Sequence, residues 1–245
     1  MTTNIPYVII LVAGTAVAFE VVRLCWYAVV SRHEVKKAFK FSAERPESDI
    51  RVLVIGDSTT YGAGVVDPKN SLVGRIANDF PHIHIENWSK SARSISQLSK
   101  LLKNIVVQEN KPKKYHALLI MVGGIDVIHA TPFSLIEKNL RESIQHSKKI
   151  ADKTIYIIPN NPALTPLQHP PLTWLLRYRS RKMEQLCLRI IEDEQIEHIN
   201  LFREKEDWLQ SSPLLYSPDK THPNDAGYAF WYAEIQPLLS RILNQ

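Results

Sequence analysis

Short apolar runs alternate with longer segments of helical spacing from Ile50 to the end of the chain. The short runs are rich in Ile, Val and Leu and are bounded by polar or turn residues, which indicates buried strands. Strands are predicted over residues 51–55, 82–87, 118–122, 154–158 and 196–201. Helices are predicted over residues 71–80, 95–107, 133–151, 172–194 and 226–243. This alternation predicts an α/β domain in which helices cover both faces of a parallel sheet.

An almost continuous apolar run precedes this domain. It extends from Ile5 to Val30 and is interrupted only by Thr15, Glu20 and Arg23. At a rise of about 1.5 Å per residue, a helix of this length crosses a hydrocarbon core of roughly 30 Å. We therefore expect residues 5–30 to form a single transmembrane anchor helix.

Four basic residues follow the run at once: Arg32, Lys36, Lys37 and Lys40. By the positive-inside rule, they favour the cytoplasm for this flank. Two alternatives stay open. Ala16-Val17-Ala18 resembles the cleavage site of a signal peptide, and an apolar helix of this length also occurs in soluble cores. We expect residues 31–48 to be a linker and residues 49–245 to form the globular domain.

Composition and charge narrow the function classes. The formal net charge is only +5, and basic residues are interleaved with acidic ones, which argues against a nucleic-acid partner. Cys25 and Cys187 are far apart, without CxxC spacing or a histidine cluster. The sequence therefore predicts neither a zinc site nor a disulfide framework.

A serine follows the first predicted strand, in the segment Gly56-Asp57-Ser58. In an open parallel sheet, ligands bind beyond the carboxyl ends of the strands, so this serine is placed to act as a nucleophile. Two other interpretations fit the same residues: a polar turn that caps a helix, or a loop that binds phosphate.

An aspartate and a histidine lie three residues apart before the last predicted helix, at Asp219 and His222. A carboxylate in this position can hold one imidazole nitrogen and leave the other free to act as a base. A phosphate-binding loop would not require such a pair. Together with Ser58, the pair favours nucleophilic catalysis.

These residues are similar to the conserved blocks of the SGNH/GDSL hydrolase family, over about residues 51–231. Gly56-Asp57-Ser58 resembles the first block, and Asp219 with His222 resembles the last. The resemblance implies a three-layer, flavodoxin-like fold with a five-stranded parallel sheet. It also implies ester hydrolysis by a triad of Ser58, Asp219 and His222, without a metal or organic cofactor.

Two middle blocks depart from the family pattern. The glycine whose N–H serves the oxyanion hole is replaced by Ala92 or, with a slip of one residue, by Ser91. The family's oxyanion asparagine is replaced by Ile125. We expect the backbone N–H groups of Ser58 and Ala92 to form the oxyanion hole, provided that φ of Ala92 is negative. Asn160 and Asn161 are substitutes for the missing amide, although a simple turn explains them as well.

The resemblance implies a carboxylic ester hydrolase whose substrate is a small molecule or a lipid, such as a lysophospholipid or another acylated envelope component. Two rival functions remain. The same triad can transfer an acyl or acetyl group to an alcohol, and the loss of the oxyanion asparagine is compatible with a weakly active or non-catalytic binding protein. The oligomeric state stays open.

Overall fold

A computed structural model describes residues 5–108, 115–204 and 212–244 of the chain. Five strands pair in parallel to form one sheet with the order β2-β1-β3-β4-β5. The strands are β1 (Arg51–Gly56), β2 (His84–Asn87), β3 (Tyr115–Met121), β4 (Ala151–Ile158) and β5 (Glu197–Asn200). The predicted five-stranded parallel sheet is thus confirmed, with small shifts at the strand ends.

Helices cover the sheet on both faces. The helices are α1 (Ile5–Lys37), α2 (Ser58–Tyr61), α3 (Leu72–Asp79), α4 (Ile95–Gln108), α5 (Gly124–Ile128), α6 (Phe133–Ile150), α7 (Leu172–Glu194) and α8 (Asp225–Leu243). The sequence pattern predicted the long helices of the domain. It missed α2 and α5 because a helix of four or five residues is too short to show a periodic apolar face.

The strands divide the core into two apolar layers. Leu53 and Ile55 of β1 contribute to one layer, which packs against α4, α6 and α7. Val52 and Val54 contribute to the other, which packs against α3 and α8. Successive side chains of a strand point to opposite faces, so a strand buried on both sides is apolar throughout.

The order of the strands creates a crevice. The connection from β1 to β2 passes through α3 on one face, whereas the connection from β2 to β3 passes through α4 on the other. The chain therefore changes face between β1 and β3, and the carboxyl ends of these two strands open at a topological switch point.

The apolar N-terminal run forms the first part of α1, which continues to Lys37. The first residues of the expected linker are therefore helical. Further along it, Ala43 forms a bridge with Ile85 of β2. The stretch Tyr7–Lys37 of α1 is long and apolar enough to cross a membrane, and its most apolar window is not buried by the domain.

Candidate functional site

A tight turn carries Ser58 at the carboxyl end of β1. Asp57 caps α2 and accepts a hydrogen bond of 2.9 Å from the N–H of Thr59, so Ser58 is the first residue of the helix. Gly56 allows a close approach here, because an added Cβ would lie 2.0 Å from Thr60 Oγ1 and 2.6 Å from the carbonyl oxygen of Met121. The strand therefore passes directly into a turn that presents Ser58 to the crevice.

Two buried polar side chains hold this turn from outside. The hydroxyl of Tyr228 in α8 lies 2.8 Å from the carbonyl oxygens of both Thr59 and Ala63. Asn87, the last residue of β2, donates a hydrogen bond of 3.0 Å to the carbonyl oxygen of Thr60. Buried backbone carbonyls need such partners, and these two fix the position of Ser58 relative to the sheet.

The loop before α8 holds Asp219 with its side chain fully buried. One oxygen, Oδ1, accepts hydrogen bonds from the hydroxyl of Ser217 at 2.8 Å and from the N–H groups of Thr221 and His222 at 2.9 Å. The other oxygen, Oδ2, lies 2.5 Å from Nδ1 of His222. Both oxygens are satisfied, so the carboxylate can hold the imidazole in one orientation.

The imidazole also reaches the serine. Nε2 of His222 lies 2.8 Å from Oγ of Ser58, although the two residues are 164 positions apart in the chain. The structure therefore joins Ser58, His222 and Asp219 in one continuous line of hydrogen bonds.

The two loops also pack directly on each other. Gly64 has φ of +94°, and a Cβ there would lie 2.2 Å from the carbonyl oxygen of Pro223. Only glycine tolerates both this φ and this contact. Asn224 caps α8 by accepting hydrogen bonds from the N–H groups of Ala226 and Gly227. The serine turn and the histidine loop are thus held at a fixed distance.

The surroundings shift the pKa values of Asp219 and Asp57 in opposite directions. Burial alone would raise the pKa of Asp219, but the hydrogen bonds and charge of His222 and the N–H of Thr221 hold this pKa well below its usual range. Asp219 is therefore ionised at neutral pH. Burial raises the pKa of Asp57, and the hydrogen bond from Thr59 offsets this increase only in part.

Two residues that line the crevice, Ser58 and Ala92, carry backbone N–H groups without a protein acceptor in the described part of the chain. Within the described residues, neither the N–H of Ser58 nor that of Ala92 donates to another protein group. The expectation of a negative φ at Ala92 is wrong, because its φ is +55°. The backbone keeps the left-handed conformation that favours glycine, and Ala92 adopts it at a cost of about 1–2 kcal/mol.

The predicted substitutes for the missing amide have other partners. Asn161 accepts a hydrogen bond from the N–H of Ala163 and donates one to the carbonyl oxygen of Arg203, so it stabilises a turn. Asn160 lines the crevice, and its side chain lowers the pKa of the Tyr216 hydroxyl, although burial raises that pKa more. Ile125 itself faces the crevice from α5.

A cavity of about 490 Å³ opens over Ser58 and His222. Ala92, Ile125 and Trp231 line its domain side. Its opposite wall belongs to the C-terminal end of α1, with Ser31, Arg32, Val35 and Lys36. These four residues belong to the stretch that was predicted to be a linker, and their place at the site was not predicted.

The sequence does contain a pattern that indicates the contact between α1 and the domain. Polar residues interrupt α1 at Glu20, Arg23, Tyr27, Ser31 and Glu34, at successive spacings of three or four residues. Such spacing places them on one side of a helix, which is the side that contacts the domain. No group of three or more His, Cys, Asp or Glu side chains suited to a metal ion occurs in the described ranges.

Solved structures share this fold. A lipolytic protein of the G-D-S-L family from Veillonella parvula superimposes with a TM-score of 0.63 at 15% identity, covering 78% of this chain and 99% of its own. The psychrotrophic esterase EstA from Pseudoalteromonas sp. gives 0.59 at 20% identity, covering 80% of this chain and 100% of its own. No curated protein matched the sequence.

These distant structural matches show the fold, and a comparison with protein-family models identifies the family. The model of the GDSL-like lipase/acylhydrolase family matches residues 54–230, a range that contains both loops of the site and all but the start of the sheet. The chain therefore belongs to the GDSL-like lipase/acylhydrolase family.

Proposed function

We propose that this protein is a serine hydrolase of carboxylic esters, tethered to a membrane by α1. The observation that carries the proposal is the line of hydrogen bonds from Ser58 Oγ through His222 to Asp219, at 2.8 Å and 2.5 Å. The distance from Ser58 to His222 lies within the reach that proton transfer between a nucleophile and its base requires, and the shorter one is a hydrogen bond by which Asp219 can orient the imidazole.

In this mechanism, Oγ of Ser58 attacks the ester carbonyl while Nε2 of His222 accepts its proton. Asp219 stays ionised, orients the imidazole and stabilises its positive charge. The N–H groups of Ser58 and Ala92 bind the oxygen of the tetrahedral intermediate. His222 then protonates the leaving alcohol. In the second half of the reaction, His222 accepts a proton from water while the water oxygen attacks the acyl group, and it then returns the proton to Oγ of Ser58 as the acid leaves.

The test compares two serines of the same cavity. Ser58→Ala should abolish labelling by a fluorophosphonate probe and the hydrolysis of p-nitrophenyl esters, with a loss in kcat of about 10⁶-fold. Ser91→Ala is the control, because Ser91 also lines the cavity but has no hydrogen bond to His222. Labelling that survives in Ser58→Ala and disappears in Ser91→Ala would place the nucleophile elsewhere.

A non-catalytic binding function is favoured by one observation, the apolar Ile125 beside the reacting centre. The probe experiment separates the two functions, because a phosphonate bonds covalently only to an activated serine. An intact protein that remains unlabelled, with no turnover on esters of short to long chains, would support the binding function.

The membrane anchor rests on the exposure of α1. From Tyr7 to Phe19 every side chain is exposed, and nearly all are apolar. We expect the full chain to resist carbonate extraction from membranes. Removal of residues 1–19 should release a folded domain, because Tyr7–Phe19, the part of this stretch whose side chains are described, contributes no buried side chain. A full chain found entirely in the soluble fraction would contradict the anchor.

A further inference from the structure

The second half of α1 packs on the domain along one face. From Glu20 onward, the less exposed side chains recur every three or four residues, which is the spacing of one helix face. Arg23 donates a hydrogen bond of 2.7 Å to the carbonyl oxygen of Leu167. The ammonium group of Lys220 lies 5.0 Å from the centre of the Tyr27 ring. Because Lys220 lies between Asp219 and His222, α1 is fixed directly beside the histidine loop.

This contact makes α1 one wall of the cavity over Ser58. The opposite sides of the cavity differ in chemistry. The domain side is largely apolar, with Ile125, Ile128, Pro162 and Trp231. The α1 side carries two cations, Arg32 and Lys36. An ester that filled the cavity would therefore meet apolar surface at one end and positive charge at the other.

The two cations are unpaired. Neither Arg32 nor Lys36 has an acidic partner among the described residues, whereas Glu34 pairs with Lys37 and Glu20 with Arg23 on the same helix. Arg32 and Lys36 are four residues apart, so their charges repel each other on the helix surface. A bound anion would relieve this repulsion.

We infer that Arg32 and Lys36 bind an anionic group on the alcohol part of the ester substrate, while the acyl part lies against the apolar side of the cavity. A phosphate suits the pair best, because a guanidinium binds it through two parallel hydrogen bonds and an ammonium adds a point charge. The inference rests on the proposed ester hydrolysis and specifies which esters are selected.

Two sources can supply such a substrate. A lipid of the bilayer and a soluble phosphate ester present the same anionic group to Arg32 and Lys36.

The test uses the full chain in non-ionic detergent and two soluble esters that differ only in a phosphate: glycerol monobutyrate and 1-butyryl glycerol 3-phosphate. Arg32→Gln/Lys36→Gln should lower kcat/KM on the phosphate ester by about tenfold or more, mainly through KM, and leave the neutral ester unchanged. Lys37→Gln/Lys40→Gln removes the same charge nearby, outside the cavity, and should change neither rate.

Three results would overturn the inference. They are an equal loss on both esters, an equal loss in both double variants, or no loss on the phosphate ester. The source of the substrate follows from a further comparison with 1-oleoyl glycerol 3-phosphate in phosphatidylcholine vesicles. Faster turnover in vesicles than with the soluble ester identifies a lipid of the bilayer, and the reverse identifies a soluble phosphate ester.

A binding measurement separates this inference from the proposed function. Hexyl phosphate should bind the parent chain about tenfold more tightly than it binds Arg32→Gln/Lys36→Gln in calorimetry, whether or not any ester is hydrolysed. If no ester hydrolysis depends on Ser58 but the difference in binding is observed, the proposed esterase activity is refuted and the proposed anion site is supported. Equal binding to both proteins would refute the anion site alone.

Discussion

The cavity around Ser58 has two sides, which differ in how fully their polar groups are hydrogen-bonded. On the side of His222, every polar atom has a partner: Asp219 accepts four hydrogen bonds, and both imidazole nitrogens are engaged. Elsewhere on the cavity wall, Ala92 has a backbone conformation suited to glycine, and Ile125, where the resemblance predicts an asparagine, is apolar. In the proposed mechanism, the groups that activate Ser58 are therefore fully hydrogen-bonded, whereas the oxyanion is left to backbone N–H groups alone.

The largest effect is expected on the complete side. Asp219→Asn should lower kcat by about 10⁴-fold, because the amide cannot hold the imidazole in the tautomer that accepts a proton from Ser58. Asp225→Asn, at the first residue of α8 just after this loop, is the control, and we expect its rate to stay within about tenfold of the parent. Steady-state hydrolysis of a p-nitrophenyl ester measures both. A similar loss in the two variants would show that the loop, not the carboxylate beside His222, had been damaged.

The same carboxylate should control stability in acid. Because the folded protein holds the pKa of Asp219 below its ordinary value near 3.9, this carboxylate stabilises the fold above about pH 4. That contribution is lost as the pH falls through this range toward the lowered value. Asp219→Asn removes it, so the difference in free energy of unfolding between parent and variant should shrink from pH 7 to pH 3. Denaturant titrations measure the difference, and a constant value would contradict the assigned pKa shift.

On the incomplete side, an added donor should raise the rate. Ile125→Asn places an amide on the wall of the cavity beside Ser58, and the expected gain in kcat is at most about 10²–10³-fold. A donor used mainly in the transition state should change kcat more than KM. Ile128→Asn is the matched control, because Ile128 lines the same cavity on the same helix. Equal turnover in Ile125→Asn and the parent would show that the oxyanion is already fully stabilised.

The smallest effect concerns Ala92. Ala92→Gly should raise the free energy of unfolding by up to about 1 kcal/mol, because glycine adopts a positive φ without the steric cost that alanine carries. Turnover should stay the same, since the N–H is retained. Ala77→Gly, inside α3, is the opposite control and should lower stability by about 1 kcal/mol. Thermal unfolding of both variants checks the pair, and a loss in Ala92→Gly would contradict the strained backbone.

The sequence was sufficient to predict most of the fold, for a physical reason. β1 from Val52 and β3 from Ala117 are buried on both faces, so their apolar runs are uninterrupted there, and α7 shows its buried face at helical spacing. The sequence also predicted that Ser58, Asp219 and His222 come together, Ser58 from its place directly after β1 and the other two from their spacing before α8.

Other features depend on contacts between distant segments, which the sequence pattern does not contain. The φ of Ala92 is set by the loop around it and not by alanine, which prefers a negative φ. Likewise, apolar composition concealed the role of α1 in the cavity. Glu20 and Arg23 were interpreted as interruptions of a membrane span, although they belong to the face that packs on the domain.

The distance along the chain between Ser58 and His222 has a consequence for biosynthesis. The nucleophile leaves the ribosome 164 residues before its base. At a synthesis rate of roughly 5–20 residues per second, Ser58 waits about 8–33 s for its partner. During that interval, the nascent chain holds an ordinary serine that attacks no ester in its surroundings. By the proposed mechanism, the chain therefore acquires its reactivity only when α8 and the loop before it close over the sheet.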